Sequence, residues 1–237
     1  MNLRALILCA GLGTRLGSIT KDVPKPMLPI GELPCVGYQL LKLQAIGVTE
    51  VLINTHKNHE CFQDLQKIKA LNIKVSLSHE PSLLGPIGTL KTHLEWLAKD
   101  NFWLLHGDNF FKDNLNEMLN EVNFSDHRVL GGMGTFRSFN PRSVGIVSVD
   151  RNGFFKGIHE KRSVPRGFRA NSAIYYFRPN VRSFIATLPN EAISISSHLL
   201  PRLKRKLKVV SLDGFFIDIG TIKNLNRARQ IVSSYHS

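Results

Sequence analysis

Cysteine is scarce. The chain has three in 237 residues, Cys9, Cys35 and Cys61, an odd number with neither a CxxC pair nor Cys/His ligand spacing. That argues against a disulfide-stapled scaffold and a zinc site, and fits a reducing, cytoplasmic setting. Long apolar runs are missing as well. No window reaches the ~18 residues a membrane helix needs, so no membrane association is expected. The apolar run ALILCA after Arg4 is too short for the core of a signal peptide and has no clear cleavage site. It runs straight into a Gly-rich turn and reads as the first strand. Repeats, low-complexity tracts and long linkers are absent, which leaves a single domain over 1–237, with self-association left open. Acidic residues are few: 18 against 31 basic ones, for a formal net charge of +13. Such a chain suits an anionic partner. The basic residues are scattered. The densest groups, PRLKRKLK (201–208) and EKRSVPRGFR (160–169), lack the interleaved aromatics of a nucleic-acid platform. A polyphosphate substrate is therefore expected, and nucleic acid is not.

What is present begins with alternation. Strand signals at 4–10, 50–56, 73–80 and 102–111 are interleaved with helical patterns at 34–47, 59–72 and 87–99. That order predicts a parallel sheet covered on both faces. The second half reads as strands at 128–136, 144–150, 153–161 and 170–177 with short connections. RNG (151–153) is a hairpin signal. Helices at 180–188 and 196–206, the latter interrupted by Pro201, precede a strand near 208–212 and a helix over 222–235. The fold class is α/β: a Rossmann-like three-layer α/β/α sandwich with a mixed, mostly parallel central sheet. Its nucleotide-binding half covers about residues 1–125 and its acceptor-binding half about 126–237.

The stretch LILCAGLGTRLGSITKDVPKPMLPIG (6–31) carries the chemistry. Gly11 and Gly13 fall at a predicted strand-to-helix turn, where glycine lets amides approach an anion closely. Leu16 occupies the last position of G-x-G-x-x-G, so this is not the dinucleotide fingerprint. It is not a Walker loop either, since no Gly-Lys-Ser/Thr ends it. Arg15 lies inside the turn, and Lys25 is clamped between Pro24 and Pro26 with little conformational freedom.

The same stretch resembles the signature of the sugar-1-phosphate nucleotidylyltransferases, L-x-A-G-x-G-T-R-L…P-K-P-M-x-P, over some two dozen positions. Gly17-Ser18 depart from it where the family often has a proline. The resemblance continues in order down the chain. HEPSLLGPIGTLKT (79–92) is similar to the base-recognition segment, with Pro86 and Ile87 departing from L-G-T-A-G. LLHGDNFF supplies Asp108, GIHEKRSVP supplies Glu160 and Lys161, ANSAIYYF supplies Asn171, and FFIDIGTIKNL supplies Asp218. In ISISSHLLPRL (193–203), His198 stands where related sequences tend to have an acid.

What the resemblance implies is an enzyme with the GT-A-like nucleotidyltransferase fold. It would join a nucleoside triphosphate to a sugar 1-phosphate and release pyrophosphate. Ala10, Gly11, Gly13, Thr14, Arg15, Lys25, Gly88 and Thr89 would bind the nucleotide. Glu160, Lys161 and Asn171 would bind the sugar phosphate. Asp108 and Asp218 would hold Mg²⁺, and Arg15, Lys25, Asp108 and Lys161 would act in catalysis. GTP and an acceptor of mannose or heptose type are favoured over a uridylyl- or thymidylyltransferase such as one for MurNAc 1-phosphate. A catalytically silent subunit of the same fold is the alternative of another class. The complete charged set argues against it.

Overall fold

The computed structural model describes residues 3–112, 115–160 and 163–234. Along them the strands are β1 (Leu3–Leu8), β2 (Val48–Thr55), β3 (Lys74–His79), β4 (Phe102–His106), β5 (Asn109–Phe111), β6 (Gly131–Arg137), β7 (Ile146–Val149), β8 (Phe155–His159), β9 (Arg169–Phe177), β10 (Leu207–Ser211) and β11 (Phe216–Asp218). The α-helices are α1 (Cys35–Ala45), α2 (Gly85–Thr92), α3 (Leu94–Leu97), α4 (Asn116–Glu121), α5 (Val181–Ala186) and α6 (Ile222–Ser234). The chain divides into two compact units. The first gathers Asn2–Leu83, Leu105–Lys112 and Gly214–Ser237; the second gathers Leu84–Leu104 and Asp113–Asp213.

In the first unit β1 and β2 pair in parallel with Leu6 beside Leu52, and β2 and β3 pair in parallel with Leu52 beside Ser76. Ala5, Leu6 and Ile7 have no exposed surface, as a strand covered on both faces requires. On α1, Val36, Leu40 and Leu43 recur at helical spacing and are fully buried. A second ladder joins residues more than a hundred positions apart: β5 and β11 run antiparallel, with Asp218 opposite Asn109. Leu16, Leu28, Ile30, Cys35, Phe110, Ile217, Ile219 and the buried face of α6 (Leu225, Ala228, Val232) form one apolar cluster behind this ladder. It ties the proline-rich stretch to the C-terminal helix.

The second unit is of mixed sense. β10 pairs parallel with β6, β6 pairs antiparallel with β9, and the β7–β8 hairpin joins β9 where Ile146 meets Ala170. β9 bulges between Asn171 and Tyr175, where Ala173 has φ 53°.

Several expectations need correction. Residues 59–72 do not form an α-helix: a 3-10 helix runs over His59–Lys67. Its buried residues, Phe62 and Leu65, are three apart, which three residues per turn place on one face. The helix expected over 87–99 breaks at His93 (φ −109°, ψ 22°) into α2 and α3. The strand expected over 102–111 is cut by Gly107-Asp108 into β4 and β5, which have different partners. Residues 195–203 form a π turn over Ile195–Leu199 and a 3-10 turn over Leu200–Leu203, where Pro201 has no amide N–H to give. Helix α4 carried no sequence expectation.

Candidate active site

The first unit assembles four of the expected residues. β1 ends at Leu8, and the chain passes through Gly11 into a turn where Gly13 is left-handed (φ 65°, ψ 20°). Thr20 Oγ1 donates to Gly13 O (3.1 Å) and Gly17 O (3.2 Å), closing the loop on itself. Gly17 breaks the 3-10 helix Thr14–Thr20 with φ 58° and ψ −127°. Glycine there supplies a conformation that a proline-containing loop would not need. Pro24 and Pro26 are buried, and Lys25 opens a 3-10 turn whose Met27 N–H donates to Pro24 O (2.8 Å). The clamped Lys25 is thereby aimed inward, with 11% of its side chain exposed.

Lys25 meets both aspartates. Its Nζ donates to Asp108 Oδ2 and lies 3.9 Å from Asp218 Oδ1, while Arg15 Nη2 lies 3.5 Å from Asp218 Oδ2. The β5–β11 ladder makes this possible. Asp108 immediately precedes β5, Asp218 ends β11, and Ile219 N–H donates to Asp108 O (3.0 Å). Burial pushes the Asp108 carboxyl up, but the Lys25 charge, His106 and the Lys25 hydrogen bond outweigh it and hold the group below the ordinary carboxylate range. Asp108 is therefore ionised at neutral pH, and burial keeps the neighbouring His106 imidazole low and neutral.

Two glycines make the approach possible. A Cβ on Gly107 would lie 2.3 Å from Cys9 Sγ. A Cβ on Gly220 would lie 2.6 Å from Arg15 Nη2 and 2.7 Å from Asp218 Oδ1. The Gly220 amide itself donates to Asp218 Oδ1 (2.7 Å), and Asn224 Nδ2 donates to the Asp218 backbone carbonyl (2.7 Å), so α6 anchors the end of β11 that carries this carboxylate.

Sequence reasoning missed the supports beneath these groups. Buried Gln39 on α1 donates through Nε2 to His106 O (2.9 Å) and Asn109 O (2.7 Å), bracketing the Gly107-Asp108 turn. A polar residue on the apolar face of an otherwise regular helix was the available signal. Asn54, at 3% exposure, accepts from the Cys9 amide (2.7 Å) and donates to Glu80 Oε1 (2.9 Å). This buried relay pins the ends of β1, β2 and β3, where a parallel sheet presents its ligand crevice. Ala10 is half-buried just beyond it, and Gly11 and Thr14 are exposed.

The remaining expected residues belong to the second unit. Gly88 lies in α2 against Leu84. Thr89 does not face outward: it has no exposed surface, and its hydroxyl donates to Gly85 O (3.2 Å). Ile87, a departure from the motif, is also fully buried and donates its N–H to Ile193 O (3.3 Å). The unit brings Glu160 and Asn171 together around Gly145. Asn171 N–H donates to Gly145 O (3.0 Å), and a Cβ on Gly145 would be 2.9 Å from Glu160 Oε1. The Asn171 amide is also engaged within β9, donating to Tyr175 Oη (2.8 Å) and accepting from Ala173 N–H (2.9 Å). His198 folds back on its own turn, its Nδ1 3.3 Å from Ser194 N. Lys161 lies outside the described residues. Among the described residues no group of three or more His, Cys, Asp or Glu is placed to hold a metal, and no helix is long and apolar enough to cross a membrane.

The fold class is the expected one, a mixed sheet with flanking helices. The chain belongs to the nucleotidyl transferase family, whose family model matches residues 4–234. It is 33% identical to the D-glycero-alpha-D-manno-heptose 1-phosphate guanylyltransferase of Campylobacter jejuni, over 92% of this chain and 95% of that protein. It is 32% identical to the mannose-1-phosphate guanylyltransferase catalytic subunit beta of Dictyostelium discoideum, over 94% of this chain but 62% of that longer protein. The UDP-glucose pyrophosphorylase of Acinetobacter baumanii shares the fold with a TM-score of 0.83 at 18% identity, over 100% of this chain and 95% of that one.

Proposed function

We propose that this protein transfers a nucleoside monophosphate from a nucleoside triphosphate, GTP in preference, to a sugar 1-phosphate of heptose or mannose type. The products are an NDP-sugar and pyrophosphate. The observation that carries the reading is Lys25 held between Asp108 and Asp218, with Arg15 on the outer side of Asp218. A heptose-type acceptor is favoured because the chain matches nearly the full length of the heptose 1-phosphate relative.

An oxygen of the sugar phosphate attacks the α-phosphorus, and the bond from that phosphorus to the bridging oxygen of the β-phosphate breaks. The nucleophile is already an anion at neutral pH, so no strong base is required. The barrier is electrostatic, because two polyanions must meet and charge builds on the departing pyrophosphate. Arg15, with 64% of its side chain exposed, is free to turn onto the β- and γ-phosphates. Lys25, nearly buried, would meet the α-phosphate, where a fixed charge acts at low dielectric. Gly11 and Gly13 let backbone amides approach the phosphates. Glu160, Asn171 and Lys161 would receive the sugar phosphate, and Gly88 the base side.

Asp108 and Asp218 suit Mg²⁺. They are two hard oxygen donors sharing one cation, and Mg²⁺ is bound by one or two carboxylates plus substrate phosphates rather than a full protein cage. Bound there, it would neutralise phosphate charge and hold the triphosphate in line. The three unpaired cysteines accord with a reducing cytoplasm.

The test is pyrophosphate release from each of the common nucleoside triphosphates with a panel of sugar 1-phosphates. GTP with a heptose or mannose 1-phosphate should turn over fastest, and Lys25→Ala should lower kcat by roughly 10²-fold or more. Near-normal turnover in Lys25→Ala would remove the site assignment. Nucleotide binding without turnover on any acceptor would favour a silent subunit.

A further inference from the structure

The turn that carries Arg15 has little to hold it from within. Of Thr14–Thr20 only Leu16 is buried, and the backbone bonds are local: Leu16 N–H donates to Gly13 O (3.0 Å) and Lys21 N–H to Ser18 O (3.2 Å). The Thr20 hydroxyl bonds back to Gly13 and Gly17 rather than outward. A loop with one buried side chain opens readily unless another segment takes hold of it.

That hold comes from the segment after β2. Asn58 Nδ2 donates to Lys21 O (3.0 Å), and the Cys61 thiol lies 3.7 Å from Asp22 O. The segment is itself rooted in the sheet. Glu80 N–H donates to Thr55 O (2.8 Å), His56 Nδ1 donates to Glu80 O (2.7 Å), and the His59 ring rests on His79 with centroids 4.4 Å apart. Glu80 is 2% exposed and is fixed by Asn54, whose other contact is the Cys9 amide where β1 leads into the turn. Root and loop lie in the same unit.

Asn58 is left-handed, with φ 51° and ψ 42°. Glycine would take this conformation at less cost but has no side-chain amide to give. Asparagine both tolerates it and donates. A plain turn would be served by glycine, so the side chain is what this position adds. Lys21 lies between Arg15 and Lys25 in the chain, and the tether therefore fixes the span whose two cations meet Asp218 and Asp108.

We propose that Asn58 is a positioning residue for triphosphate binding. By holding Lys21 O it keeps the loop in the shape that presents Arg15 and the glycine-flanked amides to the β- and γ-phosphates. It acts through the loop and not on the substrate. The identity of the ligand rests on the proposed reaction.

Asn58→Gly keeps the left-handed backbone and removes the amide. Asn58→Asp keeps the shape, but its carboxylate cannot donate to Lys21 O. Limited trypsin digestion of the full chain, with the peptides identified by mass, reads the loop through cleavage after Arg15 and Lys21 and needs no ligand. Both variants should be cut there about 3–10-fold faster than the wild type, the factor that one ordinary hydrogen bond sets on local opening. Equilibrium dialysis with GTP and with inorganic triphosphate, each with Mg²⁺ and no acceptor, should show affinity falling by the same factor in Asn58→Gly and by at least that factor in Asn58→Asp. The KM for the sugar 1-phosphate should not change. The Tm should stay within about 4 °C of the wild type, the shift that loss of one such bond gives a chain of this size. A merely structural role would lower Tm further and impair both substrates alike. Unchanged cleavage, faster cleavage with unchanged affinity for GTP, or a matching rise in KM for the sugar 1-phosphate would each overturn the proposal. A wild type that binds neither GTP nor triphosphate would remove the proposed reaction and this inference with it. Normal wild-type binding that Asn58→Gly leaves intact would remove this inference alone.

Discussion

Gly107→Ala puts a number on how tightly the turn before Asp108 is held. The new Cβ would lie 2.3 Å from Cys9 Sγ, 3.2 Å from Pro26 Cβ and 3.3 Å from Ile7 Cγ2. Cys9 is 3% exposed and its sulfur is one bond from its own Cβ, so it has nowhere to swing. The turn must shift instead, at an overpacking cost of about 1–3 kcal/mol. Cys9→Ala alone removes one buried atom and should cost about 1 kcal/mol. Burial pushes the Cys9 thiol up, so it is uncharged and its removal is a packing change only. In the double variant the new methyl takes the space the sulfur left, and the total should not exceed about 1.5 kcal/mol. The cycle then gives a favourable coupling of about 1–2 kcal/mol. Equilibrium urea unfolding measures it, with pyrophosphate release followed in parallel. Activity should fall at least ~10-fold in Gly107→Ala, because Asp108 moves with the turn, and return most of the way in the double variant. Single-variant costs that add to within about 0.5 kcal/mol would refute the close contact.

Gly220→Ala should act on chemistry and spare the fold. Its Cβ would meet the tips of Arg15 and Asp218, both of which can move aside, so stability should stay within about 0.5 kcal/mol while kcat falls roughly 10–100-fold; normal kcat would show that this placement is not needed. Ala173→Gly should stabilise the chain. A left-handed alanine costs about 1–2 kcal/mol and glycine returns about 0.5–1 in entropy, for a net gain of about 0.5–1 kcal/mol. Thermal melting reads this as a Tm higher by a few degrees, and an unchanged or lower Tm counts against the bulge. Asp108 sets an acid dependence. Its folded pKa lies below its unfolded value of about 3.9, so its contribution is complete above that pH and is lost as pH falls through the folded value. Urea midpoints of the wild type should drop over that acid window. Those of Asp108→Asn should drop less, and the gap between the two proteins should be flat from about pH 6 to 8. A gap that still changes there would show that another group dominates.

Much of the site was legible in the sequence because its signals are local. Two prolines around Lys25 restrict it whatever the fold, and the glycines at 11 and 13 mark a turn before any partner is known. The buried parallel strands β1 and β2 and helix α1 followed from short-range apolar patterning, which reports burial directly. Patterning failed where a partner overrides it. Gly107-Asp108 divides a continuous apolar run because β5 turns away to pair with β11. Residues 59–67 tighten to a 3-10 helix because only Phe62 and Leu65 have a core to enter. Thr89, read as a nucleotide contact, is fully buried and gives its hydroxyl to Gly85 O, which no spacing rule reports.

The sequence by itself determined the family and the identity of the charged groups. It could not say that Asp108 and Asp218, 110 positions apart by their numbers, face one lysine. That follows from an antiparallel pairing of two three-residue strands, a long-range contact with almost no local signature. Nor could it say that Gln39 braces the turn, or that Gly220 leaves room for Arg15. Those facts depend on which surfaces touch, and only the folded chain decides that.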